Sequence, residues 1–202
     1  MLVLALDTSA TFVSVALLNE KQVFAVEEED MERGQAEALM PMIRSVLVRA
    51  RMKMSDINAI AVTVGPGSFT GVRIGLAAAR GFGLALNIPV YGVTCFEAWA
   101  YHISRPCTVV LDSKRGDYFV QSFDADNKSI GAPLIQNTED LKKKLPFSAV
   151  GTAAVSLSEE IGCDVLYKIS PISVAVGRIA LSRFDNPLLP KPLYMRDADV
   201  TL

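Results

Sequence analysis

Histidine is almost missing from this chain: His102 is the single imidazole in 202 residues. One imidazole excludes any site that needs two, the His-x-x-x-His metal pairs among them. Cysteine is scarce, odd in number and scattered (Cys95, Cys107, Cys163). That pattern supports neither a disulfide framework nor a metal-ligand spacing, and it fits a reducing, cytosolic compartment. Excess positive charge is lacking too. Twenty Lys and Arg stand against 22 Asp and Glu, for a net charge of −2, which disfavours a basic domain built to wrap a polyanion. No leader is expected, because Asp7 interrupts the apolar start and no cleavage-type sequence follows. The most apolar stretch, 72–86, carries Arg73 and Arg80 and falls short of the roughly 20 residues of a bilayer span. The expectation is a soluble, cytoplasmic protein with no membrane contact. What is present, 50% apolar and 21% charged residues, is the composition of a globular chain able to bury a sizeable core.

Periodicity predicts a β-β-β-α-β-α-β order for the first half. Strands are expected at 2–6, ending at Asp7-Thr8-Ser9, at 12–18 and at 22–29. A helix at 35–54 follows, then a buried strand at 57–64, a glycine-rich loop at 65–70, a helix at 71–86, a strand at 88–93 and a helix at 95–103. Arg105-Pro106 marks a boundary, dividing the chain into domains 1–104 and 105–202. Beyond it the pattern partly repeats. Strands at 108–111, 117–123 and 129–134 precede a helix at 139–145, a strand at 147–150, a helix at 153–161, a strand at 164–168 and a helix at 172–184. The repeat is architectural, without residue identity. The stretch 186–202 lacks period and is expected to pack extended through Leu188, Leu189, Leu193 and Tyr194.

Several constellations could carry chemistry. Gly65-Pro66-Gly67-Ser68-Phe69-Thr70-Gly71-Val72-Arg73-Ile74-Gly75 sits between a strand and a helix. It is either an anion cradle at a helix start or a tight turn with Ser68 or Thr70 as N-cap; it matches neither the Walker nor the Gly-x-Gly-x-x-Gly spacing. Asp7 and Asp112 each end a predicted strand and could hold a divalent cation through water, or simply cap turns. His102 could be a base or a structural side chain beside Trp99 and Tyr101. Ser9, Ser68 and Cys95 lack a nucleophile motif, and Lys142–Lys144 reads as a solvated helix face.

The two long helices say more. On the first, Ala36, Leu39, Ile43, Val46, Leu47, Ala50 and Met54 form the main stripe. Pro41, Val48 and Met52 lie roughly opposite it, with Glu37, Arg44 and Arg51 around them. That is an apolar patch with a charged rim. On the second, Gly71, Gly75, Ala79 and Gly83 recur every four residues as a smooth ridge, suited either to burial in the chain itself or to a partner's backbone.

Leu6-Asp7-Thr8-Ser9, the glycine block 65–75, Leu111-Asp112-Ser113-Lys114-Arg115-Gly116-Asp117 and Pro192-Leu193-Tyr194-Met195-Arg196 resemble the bacterial TsaB (YeaZ) family over nearly the whole chain. Relatives were once labelled glycoproteases, although no peptidase motif or triad is visible here. The resemblance implies an α/β, actin/Hsp70/sugar-kinase-like fold of two ribonuclease-H-like domains. It also implies a role in making threonylcarbamoyladenosine in tRNA. The implied partners are a catalytic, metal-binding TsaD-type paralogue, which uses a His pair, and a TsaE-type ATPase. Gln35 is a departure, since many relatives are expected to carry His there.

The prediction is therefore a non-catalytic partner subunit pairing through helices at about 35–53 and 71–86. Its expected interface comprises Leu39, Met40, Ile43, Val48 and Met52 on the first helix, and Gly71, Arg73, Gly75, Ala79 and Gly83 on the second. A homodimer is expected when the chain is alone, with tRNA reached only through the complex. No cofactor is required. ATP or ADP at a partner interface is the expected exception, with Asp7, Thr8, Ser9, Gly65, Gly67 and Ser68 as nucleotide-binding candidates. The alternative is a catalytic ATPase or small-molecule kinase of the same fold, using Asp7, Asp112 and the Gly65 loop.

Overall fold

Large and small apolar side chains alternate along β1 (Val3–Ala10). Leu4 and Leu6 enter one core cluster, Val3 and Ala5 another, because successive strand residues point to opposite faces. β2 (Phe12–Leu18) and β3 (Val23–Asp30) pair antiparallel on one side of β1. β4 (Ala59–Thr63) and β5 (Val90–Val93) continue the sheet in parallel on the other, giving the order β3-β2-β1-β4-β5. Two helices, α1 (Gln35–Ala50) and α2 (Phe69–Leu86), cover the leucine face with Leu39, Ile43, Val46, Val72 and Leu76. The alanine face receives α3 (Cys95–Ala100) and, from far along the chain, α6 (Ile172–Ser182). Ala5, Ala16, Ala59 and Ala61 let α6 approach closely. A Cβ built on Gly177 would lie 2.4 Å from Leu18 Cδ2.

The computed structural model describes residues 1–101, 103 and 105–196. Its second sheet repeats the first sheet's pattern: β6 (Cys107–Asp112), β7 (Tyr118–Phe123), β8 (Ser129–Gln136) and β9 (Ala149–Val150) run in the order β8-β7-β6-β9, antiparallel and then parallel. α4 (Thr138–Lys144) and α5 (Ala154–Ile161) close its outer face through Leu141 and Leu157. Val109, Leu111, Phe119 and Phe123 on its inner face join the same core as α3 and α6. The layers thus run helix, sheet, helix, sheet, helix, and the middle helices serve both sheets.

Several boundaries differ from the sequence reading. β1 runs through Asp7 to Ala10 because the buried carboxyl is hydrogen-bonded by Thr63 and the Ser9 amide, so it need not turn toward solvent. α1 stops at Ala50, where Arg51 takes φ 56° and donates its N–H back to Leu47 and Val48 carbonyls. The stretch 164–168 supplies only a single bridge, Val165 to Ala149. α2 starts two residues early, at Phe69, and its 18 residues are long and apolar enough, by length and composition, to cross a membrane. The length argument against a span therefore fails. The packing argument replaces it, since Gly71, Gly75, Leu76 and Ala79 are buried against the sheet. Finally, the stretch after α6 is held by main chain. Gly92 donates to the Leu188 carbonyl at 2.8 Å and Leu193 donates to the Val64 carbonyl at 2.7 Å, while Leu188, Leu189 and Tyr194 remain exposed.

The ridge on α2 gives a direct test. A Cβ on Gly71 would sit 2.0 Å from the Thr8 carbonyl oxygen. Gly71→Ala should therefore lower stability by about 1–3 kcal/mol, as overpacking does. Gly81, whose Cβ would meet none of the described residues within 4 Å, should gain about 0.5–1 kcal/mol as Ala. Chemical denaturation of the two variants decides; equal stabilities would mean that α2 is not pressed on β1.

Candidate functional site

The glycine block is used sterically. Gly65 lies at φ +102°, open to glycine and costly for other residues. Ser68 caps α2 by accepting the Gly71 N–H at 3.1 Å, and its own N–H donates to the Ser9 carbonyl at 2.7 Å. A Cβ on Gly67 would meet that same carbonyl at 2.4 Å, and one on Gly75 would lie 2.7 Å from Thr8 Oγ1. Thr8 donates its hydroxyl to the Gly71 carbonyl at 2.6 Å. The turn reading of this block, with Ser68 as cap, matches these contacts.

Asp7 is wholly buried. Its Oδ1 accepts from Thr63 Oγ1 at 2.5 Å and from the Ser9 N–H at 2.9 Å, while Oδ2 has no partner among the described residues. Burial pushes its carboxyl above the ordinary range, against the opposing pull of those hydrogen bonds. Asp112 behaves differently. It is half-exposed at the end of β6, where it accepts the Lys114 N–H at 2.6 Å and pairs with Lys114 Nζ at 2.9 Å. Between the sheets lies a cleft of about 160 Å³ whose walls include Ser9, Gly67, Ser68, Cys95 and Asp112, but not Asp7. That is smaller than the roughly 300–1,000 Å³ of small-molecule sites. Asp7 and Asp112 therefore do not meet across a common opening. Of the nucleotide candidates, Ser9, Gly67 and Ser68 border the cleft, whereas Asp7, Thr8 and Gly65 lie in the packing beneath. Cys95 Sγ donates to Ser9 Oγ at 3.1 Å, and burial pushes its thiol far up, which leaves it inert as a nucleophile. His102 lies outside the described residues. Gln35 donates to the Met31 carbonyl at 3.2 Å, tying down the start of α1.

The expected interface divides in two. Leu39 and Ile43 belong to the chain's own core, as do Gly71, Gly75, Ala79 and Gly83. The ridge faces inward because Thr8, Val62 and Val90 fill the space where its Cβ atoms would stand; this corrects the outward placement. Met52 is half-buried against the same core. Arg73 holds the C-terminal segment, with its guanidinium 3.6 Å above the Phe69 ring and bonded to Tyr194 Oη at 3.0 Å. Met40 and Val48 do face out, at 51% and 67% exposed, with Pro41 and Arg44 beside them. Beyond the sequence reading, α2 also presents Ala77, Gly81 and Leu84, the last 85% exposed. A second small-residue row (Ala77, Gly81, Ala85) was visible in the sequence. Only the position of Thr8 tells which row is inside.

The five-layer arrangement is shared with known structures. YeaZ from Pseudomonas aeruginosa superposes with a TM-score of 0.81 at 24% identity, covering 96% of this chain and 99% of that one. The ADPNP-bound activator of the 2-hydroxyisocaproyl-CoA dehydratase from Clostridium difficile follows at 0.57 and 11% identity, covering 92% and 95%. The class is thus the actin/Hsp70/sugar-kinase-like fold. The TsaD family profile, described as tRNA N6-adenosine threonylcarbamoyltransferase, matches residues 25–162. The tRNA threonylcarbamoyladenosine biosynthesis protein TsaB of Buchnera aphidicola subsp. Schizaphis graminum is 30% identical over 71% of this chain and 74% of its own length. The chain belongs to the TsaB (YeaZ) branch of this family, which serves tRNA threonylcarbamoyladenosine biosynthesis.

Asp7 gives the pH test. A carboxyl whose folded-state pKa is raised contributes most stability below its unfolded value of about 3.9 and loses it as pH rises. Asp7→Asn keeps the Oδ1 acceptor and removes this slope. The variant should be at least as stable as the parent at neutral pH, with the gap closing toward acid; a urea-melt series over pH checks it. An Asn variant that is much less stable at neutral pH would show that the ionised form is favoured in the fold.

Proposed function

We propose that the chain is the non-catalytic partner subunit of a tRNA threonylcarbamoyladenosine synthesis system. It pairs with a TsaD-type catalytic paralogue through the outer sides of α1 and α2, and a TsaE-type ATPase joins the pair. The observation that carries this reading is the exposed run of Met40 and Val48 on α1 and Ala77, Gly81 and Leu84 on α2. Apolar side chains beside small residues let another helix pair approach closely. When the paralogue is absent a second copy takes its place, and the two states compete by mass action. The chain works in the cytoplasm, meets tRNA only within the complex, and requires no cofactor of its own, with ATP or ADP accommodated at the seam.

The burial of Asp7 supports the non-catalytic part of the reading. The kinase or ATPase alternative needs a carboxylate open to a hydrated cation, and Asp7 is fully buried and hydrogen-bonded by Thr63 and the Ser9 N–H.

Gly75 and Ala79 are unsuitable for testing the seam because they are core positions. Ala77→Arg and Gly81→Arg are suitable, both sites being exposed. Each should weaken co-purification with the paralogue at least about tenfold, as loss of a central interface position does, with no fall in Tm. Sedimentation of the mixed subunits measures it. Undiminished pairing in both variants would place the seam elsewhere.

A further inference from the structure

β6 and β9 run parallel, and the two ends of that pair differ. The narrow cleft lies at the end that holds Leu111 and Asp112. At the opposite end, just ahead of Cys107 and Ala149, lies a cavity of about 560 Å³ that shares no described lining residue with the cleft. Its volume lies within the usual range of sites for small organic ligands. Three segments far apart in sequence build it: Arg105-Pro106 ahead of β6, the last turn of α4 with its link to β9, and the end of α5 with the residues after it.

Three cations line this cavity, Arg105, Lys142 and Lys143, and Asp164 is the one carboxylate among the described lining residues. None of the four forms an ion pair with a described residue, whereas Lys114, Lys168, Arg183 and Arg196 elsewhere in the chain all do. A helix C-terminus attracts lysines of its own accord. Lys144 ends α4 in the same way, yet it stays off the wall, and Arg105 comes from a different segment altogether. The helix end therefore explains the charge on α4 but not its convergence with Arg105 on one space. The floor of that space is apolar. Leu141 is 1% exposed and fixed in the core under α4 and α5, with Leu145, Phe147 and Ile161 half-buried around it.

Together these walls select a ligand. A bare inorganic anion would leave the apolar floor uncovered, and a purely apolar molecule would desolvate the cations without recompense. Three cations against one carboxylate leave two positive charges unmatched. A phosphate monoester, with about −1.5 to −2 charge at neutral pH, matches them; a single carboxylate does not. The geometry points to this cavity as a binding site for an organic phosphate monoester with a compact apolar body. The phosphate meets Arg105, Lys142 and Lys143 through charge-assisted hydrogen bonds, and the body lies against Leu141, Leu145 and Phe147. The site is separate from the pairing face, and the inference does not rest on pairing.

Phenyl phosphate is a direct probe, with inorganic phosphate and phenol as its two halves. Isothermal titration of the whole chain measures affinity, and backbone amide shifts in NMR place the ligand. Phenyl phosphate should bind saturably, more weakly at high salt, and shift amides in 141–148 and 161–164. Changing Lys142→Gln and Lys143→Gln together should weaken binding about tenfold or more, as loss of charged hydrogen bonds does. Lys144→Gln removes a neighbouring charge from the same helix end and should leave affinity unchanged. The inference fails if phenyl phosphate does not saturate, or if the shifted amides gather around Phe69 and Arg73 instead. It also fails if either half binds as tightly as the whole, or if Lys144→Gln weakens binding as much as the double change. The titrations use the isolated chain, so their failure leaves the pairing proposal intact.

Discussion

The contact between the end of β1 and the start of α2 holds the rest in place. The Thr8 hydroxyl reaches the Gly71 carbonyl, the Ser9 carbonyl takes the Ser68 amide, and Gly67, Gly71 and Gly75 carry no Cβ where one would collide. A helix held this close to a strand fixes the loop before it. Through the Cys95 N–H, which donates to the Gly65 carbonyl at 2.8 Å, that loop in turn fixes the start of α3. Each glycine is conformationally expensive in a helix, and close packing offsets the cost. A block that looks like a phosphate cradle is here mainly a means of bringing two backbones together.

That constraint moves the chemistry outward. The strand end that would offer a carboxylate to a metal is sealed by Thr63 and Ser9, and the remaining cleft is narrow. What solvent meets instead is the outer side of α1 and α2 and, at the opposite end of β6, a basic cavity with an apolar floor. The α2 helix contributes to the inside and to the outside at once. Its Gly75 side is core, its Gly81 side is open, and its Arg73 side binds the C-terminal segment.

Much of the fold was legible because its strands and helices carry strong period and clear punctuation. The repeat of three antiparallel strands followed by a parallel one was readable twice, and it is the order found in both sheets. Two kinds of feature were not. β1 is apolar on both faces, so its information lies in size rather than polarity, Leu against Ala, and polarity patterns do not reveal where such a strand ends. Rows of small residues four apart occur on two sides of α2, and helical period alone cannot say which row is covered. The answer depends on Thr8, 63 residues away. The cavity beside Lys142 was equally hidden, since it joins segments near 105, 145 and 163. Arg73 was picked out, but for a contact with a partner rather than with Tyr194.

The late arrival of α6 has a consequence for biogenesis. This helix lies on the alanine face of the first sheet, yet 79 positions separate Val93, the end of β5, from Ile172. At about 5–20 residues per second of synthesis, the ribosome needs roughly 4–16 seconds to cover that distance. Throughout this interval much of the face formed by Ala5, Ala16, Leu18 and Ala61 stands bare on the nascent polypeptide, covered in part by α3. The first sheet becomes fully enclosed only once α6 has been made, well after its last strand.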